Sequence, residues 1–457
     1  MDKYLPRSID QALLEWKDNP RRKPLLVRGA RQVGKSSTIR HLGKNFKYFL
    51  EVNVERNPEV MEFFKGSRDV KSIAAKLSDF FNVPVVPGET LLFLDEIQKC
   101  EDVIHSLWFF KEDYPELHVI AAGSLLEFAL KNLSSFGVGR VSSLFVYPMS
   151  FDEFLTATRQ EGLLRIKRNS SPTNPLPEAF YNRLVEAFRS YMLVGGMPEA
   201  VATYTETGSY RYSSDIVNEI IQGYQDDFAK YGAKANPLLL RQTLISVAHQ
   251  AGAKFVCSRV EGQYRSAEVK VALEMLKDAG LIIPTYHTDA NGVPLGAEIN
   301  ERVVKYLIHD TGVLLGILGI DDDIDERIKE MMVADSIDLV DKGHVAEMMA
   351  GLELIKYSSP QTRHQLYYWQ NMNKGTCAEV DYVIARSGSI VPIEVKSGVK
   401  GSMSSMYSLM RNPQKHIEMG IRCSLENFGT FASPDGKKID IIPLYAISNL
   451  FQSPHII

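Results

Sequence analysis

Over the first third of the chain, short unbroken apolar runs alternate with stretches whose apolar positions recur every three to four residues. The runs at 24–28, 48–54, 90–94 and 118–122 read as strands. The stretches at 7–18 and 36–42 read as helices, and further helical segments lie between the later strands. Strands that alternate with helices imply a parallel sheet covered by helices on both faces.

From about residue 148 the helical period takes over, at 151–158, 177–194 and 213–231. The Ser/Pro/Asn-rich segment 169–177 reads as a loop. Asn236-Pro237 opens another helix, with Asn236 as N-cap and proline at the first helical position. Ser266 caps a second helix, which Gly280 ends. Strands at 281–287 and 297–308 flank the turn Asp289-Ala-Asn-Gly. Helix, helix, hairpin is the order of a winged helix-turn-helix, although many small domains share it. The remainder carries strands at 366–369, 378–385 and 390–395. The pattern therefore divides at 1–150, 151–233, 234–310 and 311–457, with no internal repeat and no low-complexity segment.

Composition narrows the function classes. The 457 residues are 45% apolar and 24% charged, an ordinary globular mixture. A formal net charge of −4 gives no overall pull toward nucleic acid, so any such surface is a local patch. Cys100, Cys257, Cys377 and Cys423 are widely spaced and form no CxxC pair, which argues against a zinc site or a disulfide framework. With no signal-like N-terminus and no apolar run of membrane length, the expectation is a cytoplasmic protein without membrane insertion.

Gly29-Ala30-Arg31-Gln32-Val33-Gly34-Lys35-Ser36 follows the first strand and opens a helix. This is the GxxxxGK[ST] pattern. Its glycines let backbone N–H groups curl around phosphates, its lysine neutralises the β/γ oxygens, and its hydroxyl holds Mg²⁺. Phosphate sits at the helix N-terminus, where the macrodipole favours anions, and Ser37 continues the site. The run Leu91-Leu-Phe-Leu-Asp95-Glu96 is a buried strand ending in two acids. Asp95 is placed to hold Mg²⁺ through water, and Glu96 to polarise the attacking water. Ser124, at the end of the strand His118-Val-Ile-Ala-Ala, occupies a place from which a γ-phosphate or lytic water is sensed. Arg140 follows a Ser-Ser-Phe-Gly stretch and offers a guanidinium for charge developing on the transferred phosphoryl group, in its own chain or a neighbour's. A turn serine and a salt-bridging arginine are the plainer readings of the last two. ATP and Mg²⁺ are the expected ligands.

A second constellation lies near the C-terminus. If Ser387-Gly388 is a two-residue turn, Asp381 faces Glu394 and Glu379 faces Lys396, while Val380, Tyr382 and Ile384 face Val395, Ile393 and Val391. Two opposed carboxylates repel unless a divalent cation accepts both. Asp381, Glu394 and Lys396, with Glu347 on an upstream helix, then match the D…ExK arrangement of metal-dependent nucleases. An exposed hairpin with cross-strand ion pairs fits the same pattern.

These motifs together resemble the prokaryotic AAA-type ATPases fused to a C-terminal domain of unknown function with a restriction-endonuclease-like fold. The matching pieces are the Gly29–Ser36 loop, Leu94-Asp-Glu-Ile-Gln, Ala122-Gly-Ser, Gly139-Arg-Val and Tyr147-Pro-Met-Ser-Phe-Asp-Glu-Phe. They continue with Leu193-Val-Gly-Gly-Met-Pro-Glu-Ala, His309-Asp-Thr-Gly, Gly343-His-Val-Ala-Glu, Glu379-Val-Asp-Tyr and Ile393-Glu-Val-Lys-Ser-Gly. The resemblance implies an α/β P-loop core over 1–150, a helical lid and linker over 151–233, a winged-helix-like module over 234–310 and a nuclease-like domain over 311–457. It marks Gly195-Gly196-Met-Pro-Glu as typical of the family, which reads as a lid turn near the nucleotide or as a structural helix break. Three functions follow: an ATP-driven switch acting on DNA, a regulatory ATPase with a protein partner, and an ATP-gated Mg²⁺-dependent nuclease. Self-association is compatible with each.

Overall fold

The computed structural model describes every residue except 1–3, 125, 133–138, 232–235, 320–341, 372–377, 399–400 and 452–457. It divides into two compact units. The first is Met1–Tyr147 with the short returns Asp278–Leu281 and Ser359–Arg363, and the second is the rest of the chain.

The first unit is built on five parallel strands in the order β2-β3-β4-β1-β5. They are β1 (Leu25–Arg28), β2 (Tyr48–Asn53), β3 (Thr90–Asp95), β4 (His118–Ala122) and β5 (Ser142–Phe145). Helices α1 (Ile9–Asp18), α2 (Lys35–Gly43), α3 (Met61–Phe64), α4 (Val70–Phe81), α5 (Glu101–Asp113) and α6 (Leu126–Asn132) connect and cover them. β3 and β4 are buried along their whole length, as expected of apolar runs covered on both faces. α4 shows how local sequence sets an element: Asp69 accepts the Ser72 N–H as N-cap, Val70, Ile73, Ala74 and Leu77 face the core, and Asn82 ends the helix in a left-handed turn. These side chains pack with Leu92, Leu94 and Val119 of the sheet. The short, half-polar β5 carries no sequence signal of its own; pairing with β1 makes it a strand.

The second unit opens with helices α7 (Phe151–Ala157), α8 (Glu161–Arg168), α9 (Glu178–Val194), α10 (Pro198–Thr207) and α11 (Tyr210–Asp227). Between α9 and α10, the Gly196 N–H donates to Asp310 Oδ2 (2.6 Å) and its carbonyl accepts the Met149 N–H (2.6 Å). A side chain at Gly196 would collide with the Met149 backbone, so this segment is a packed helix break. Helices α12 (Pro237–His249) and α13 (Ser266–Asp278) follow, with the Asn236 side chain capping α12 as expected. The antiparallel pair β6 (Ile282–Thr288) and β7 (Ile299–Ile308) comes next, then α14 (Thr311–Ile317) and α15 (Lys342–Lys356). β8 (Leu366–Gln370) pairs with β6 in parallel and with β9 (Glu379–Val380) antiparallel. The β6–β7 hairpin is therefore part of the four-stranded sheet β7-β6-β8-β9, and its inner edge is not free as a wing's would be. A second sheet, β10-β11-β12-β14-β13, gathers β10 (Tyr382–Arg386), β11 (Ser389–Val395), β12 (Met419–Ser424), β13 (Gly429–Ala432) and β14 (Lys438–Pro443). Helix α16 (Ser404–Arg411) lies between β11 and β12 in sequence. No helix among the described residues is long and apolar enough to cross a membrane.

A buried ion cluster anchors the start of the second unit. Asp152 on α7 pairs with the fully buried Lys167 and with Arg168, and accepts the Tyr357 hydroxyl (2.9 Å). Burial pushes the Asp152 carboxyl up, but Lys167, Arg168 and Tyr357 outweigh it and hold the group below its ordinary range. A depressed carboxylate stabilises the fold above its unfolded pKa of about 4, and that contribution is lost as pH falls through the folded value. Asp152→Asn is expected to cost the second unit about 3–5 kcal/mol, since it strands a buried ammonium. Thermal unfolding at neutral pH and at pH 3 measures this, and the wild-type advantage should shrink at the lower pH.

Candidate functional site

The loop 29–34 lies between β1 and α2, at the edge where the parallel strands end. Gly29 has φ 146°, Gln32 φ 64° and Gly34 φ 93°, so the chain curls through left-handed conformations before the helix begins. Added bulk at Gly29 is excluded twice over, because a Cβ there would stand 2.1 Å from the Val146 carbonyl oxygen. Lys35 is buried, and its Nζ donates to the carbonyls of Gly29 (2.9 Å) and Ala30 (2.6 Å). Burial pulls its ammonium down to about 8, with Glu96 and Asp95 acting in the opposite sense. Ser36 Oγ donates to Asp95 Oδ2 (3.1 Å). A hydroxyl and a carboxylate side by side are the hard oxygen donors that Mg²⁺ takes when it is shared with phosphates and water. Burial, then the neighbouring Glu96, raises the Asp95 carboxyl, a strain that a cation would relieve.

Glu96 sits just past β3 with φ 54° and ψ 41°. Its Oε2 accepts the Ser124 N–H (3.3 Å), the Ser124 hydroxyl (3.0 Å) and the Gln98 amide. The ends of β1, β3 and β4 thus bring Lys35, Ser36, Asp95, Glu96 and Ser124 to one edge of the sheet. This is the crevice position where open α/β sheets bind ligands.

Arg140 is not at that edge. It precedes β5, which runs parallel to β1 with Ser142 beside Leu25, so it lies where the strands begin. Its guanidinium pairs with Glu112 (2.8 Å) and stands 4.8 Å from the Trp108 ring centroid, both on α5. Of the settings the sequence leaves open for Arg140, the ion pair with Glu112 fits the salt-bridging one, and strand direction sets the residue away from its own chain's loop 29–34. The Ser-Ser-Phe-Gly stretch before it lies outside the described residues. Arg7, passed over in the sequence, donates to the carbonyls of Val33 (2.9 Å) and Tyr147 (2.7 Å), tying the N-terminal segment to the P-loop. No local motif marks it.

In the second unit the Ser387-Gly388 turn forms, and Tyr382–Ile393 and Ile384–Val391 pair in the expected register. The register ends at Tyr382. Val380 pairs with Trp369 and Glu379 with Gln370, so Glu379 does not face Lys396. Glu379 instead holds Lys305 Nζ (2.6 Å), which also reaches Glu347 (2.8 Å). Glu394 holds Lys396 (2.6 Å), and Asp381 Oδ2 accepts the Val395 N–H (2.7 Å). Burial drives the Glu347 carboxyl up to about 8, and burial with Asp381 drives Glu394 up to about 7. Lys305, buried on β7 beside Tyr368, supplies the positive charge expected of a metal. Among the described residues no three His, Cys, Asp or Glu side chains are grouped to hold an ion. Within the expected metal set, Glu347 pairs with Lys305, Glu394 pairs with Lys396, and Asp381 is held by the Val395 N–H.

Comparison with known proteins gives three family matches along the chain. Residues 21–155 match the model of an AAA domain. Residues 185–324 and 342–447 match two domains of unknown function, DUF8612 and DUF4143. No curated protein matches the chain. Among solved structures, the chain is similar to the Aeropyrum pernix ORC1 protein in complex with DNA. Identity is 11% and the TM-score 0.27, over 73% of this chain and 94% of that one. A likeness that loose carries no functional argument.

Proposed function

We propose that the first unit is a Mg²⁺-dependent ATP hydrolase, and that its nucleotide state switches a second unit that acts on DNA. The observation that carries the hydrolase reading is the convergence of Lys35, Ser36, Asp95, Glu96 and Ser124 on one sheet edge. Backbone N–H groups of the loop 29–34 bind the phosphates, and Lys35 leaves the Gly29 and Ala30 carbonyls to neutralise them. Ser36 and Asp95 would hold Mg²⁺, which when bound would neutralise charge on the phosphate oxygens. Glu96 accepts a proton from the attacking water. The water oxygen bonds to the γ-phosphorus, and the bond from that phosphorus to the β–γ bridging oxygen breaks, releasing ADP. Ser124 orients Glu96 by donating to it twice.

The DNA reading rests on the second unit. Its α12, α13 and β6–β7 order is that of helix-turn-helix modules, and α13 leaves Ser266, Ala267, Lys270 and Val271 exposed together with the acids Glu268 and Glu274. Small and polar residues of this kind suit contact with groove edges. The nuclease reading is the weaker alternative, since Glu347 is held by Lys305 and Glu394 by Lys396.

The test is steady-state ATP turnover with and without duplex DNA, for the wild type and for Lys35→Ala. DNA is expected to stimulate the wild type several-fold, with an effect that weakens as salt rises. Turnover indifferent to DNA, together with no DNA binding at low salt, overturns the DNA assignment and favours a protein partner.

A further inference from the structure

Gln98 lies two residues past Glu96, in the short 3-10 turn Ile97–Lys99. Its Nε2 donates to Glu96 Oε2 and lies 3.4 Å from Ser124 Oγ. The orientation of this amide is fixed by chemistry. Reversed, it would set its oxygen against the Glu96 carboxylate, acceptor against acceptor. With the nitrogen on Glu96, the amide oxygen turns toward Gly123. That oxygen is buried and has no hydrogen-bond partner among the described protein groups. A glutamine kept only for packing would satisfy both ends, because a buried acceptor without a donor is costly. Gln98 leaves its oxygen unsatisfied while its nitrogen holds the carboxylate.

Gly123 supports the same conclusion from the facing strand end. It is not among the residues with positive φ, so its backbone does not demand glycine. Space does: a Cβ at Gly123 would stand 2.1 Å from Gln98 Oε1 and 3.1 Å from its Cδ. The side chain missing at Gly123 makes room for the Gln98 amide. The pair Gln98/Gly123 thus reads as one device on the flank of Glu96.

We propose that Gln98 is a positioning residue for ATP hydrolysis, holding the Glu96 carboxylate at its working place, and that Gly123 is glycine to admit it. The proposal rests on the hydrolase reading. With Gln98 in place, Glu96 is held from two sides, by Ser124 and by the amide, and only its remaining lone pairs face the water. Without Gln98, the carboxylate keeps Ser124 alone and can swing about its side-chain torsions, lowering the fraction of time it is aligned for proton transfer.

The test uses the full-length chain as wild type, Gln98→Ala, Gly123→Ala and the double variant. Two quantities are measured: equilibrium affinity for a non-hydrolysable ATP analogue, and kcat for ATP. Each single variant is expected to lose about 10-fold to 100-fold in kcat, with affinity held within about 3-fold. The double variant is expected to resemble the singles, because Gly123→Ala acts only by displacing the amide that Gln98→Ala removes. Unchanged kcat in Gln98→Ala overturns the proposal, as does a loss of affinity equal to the loss of kcat, or additive losses in the double variant. A wild type that binds the analogue but shows no turnover overturns the hydrolase reading, and the positioning role falls with it. Wild-type turnover with unaffected variants removes the positioning role alone.

Discussion

Lys35→Ala is expected to lower ATP turnover by about 1,000-fold or more and to remove most of the affinity for ATP. Lys35 is the buried cation of the loop, beside the exposed Arg31, and its burial decides the size of the effect. A buried ammonium interacts with phosphate in a medium less polarisable than water, so its contribution exceeds that of a surface lysine. Truncation removes the Lys35 donor from the Gly29 and Ala30 carbonyls, which belong to the loop and not to the sheet ladder. The substitution is therefore expected to leave the sheet intact, and thermal unfolding should stay within a few degrees of the wild type. Equilibrium nucleotide binding and phosphate release measure the effect. Turnover within about 5-fold of the wild type would place the phosphates elsewhere and end the P-loop assignment.

How far the sequence reveals this molecule follows from where its signals are local. The positions of the loop 29–36, Asp95 and Glu96 were legible because each lies on a contiguous run with a local backbone signal: glycines where φ is positive, four apolar residues before two acids. Ser124 was placed by the same logic, at the end of a buried strand. Arg140 stayed open among several roles because spacing places a residue along the chain and says nothing of strand direction. Once β5 is known to run parallel to β1, its preceding residue lies at the far edge. Gln98 and Arg7 carry no periodic or motif signal, and their roles come from contacts across the fold.

The C-terminal cluster shows the same limit. A two-residue turn fixed the register near Ser387-Gly388, where the ladder is local. Upstream of Asp381, β8 captures Glu379-Val380, and the extrapolated register fails there. Lys305 shares its strand's inward parity with Leu307, but a lone lysine in an apolar alternation does not announce its partners. The strands β12 and β14 went unread because the cross-strand pairing that defines them lies far apart in sequence.

Glu96→Gln is expected to separate binding from chemistry. The substitution keeps the shape and volume of the side chain and removes its capacity to take a proton. Loss of a general base costs about 100-fold to 10,000-fold in turnover, whereas phosphate contacts made by the loop 29–34 and Lys35 do not involve this carboxylate. The amide oxygen of the new side chain can still accept from Ser124, so the turn at Glu96 and the end of β4 are expected to hold. ATP should therefore bind with affinity within about 3-fold of the wild type and remain unhydrolysed. That outcome differs from Lys35→Ala, in which binding and turnover fall together. If nucleotide state governs the second unit, Glu96→Gln with ATP should hold it in the ATP-bound behaviour, and Lys35→Ala should hold it in the nucleotide-free behaviour. DNA affinity measured for both variants with and without ATP then reads the coupling directly. Equal DNA affinity in all four conditions, at turnover levels that differ as expected, would show that ATP does not switch the DNA contact.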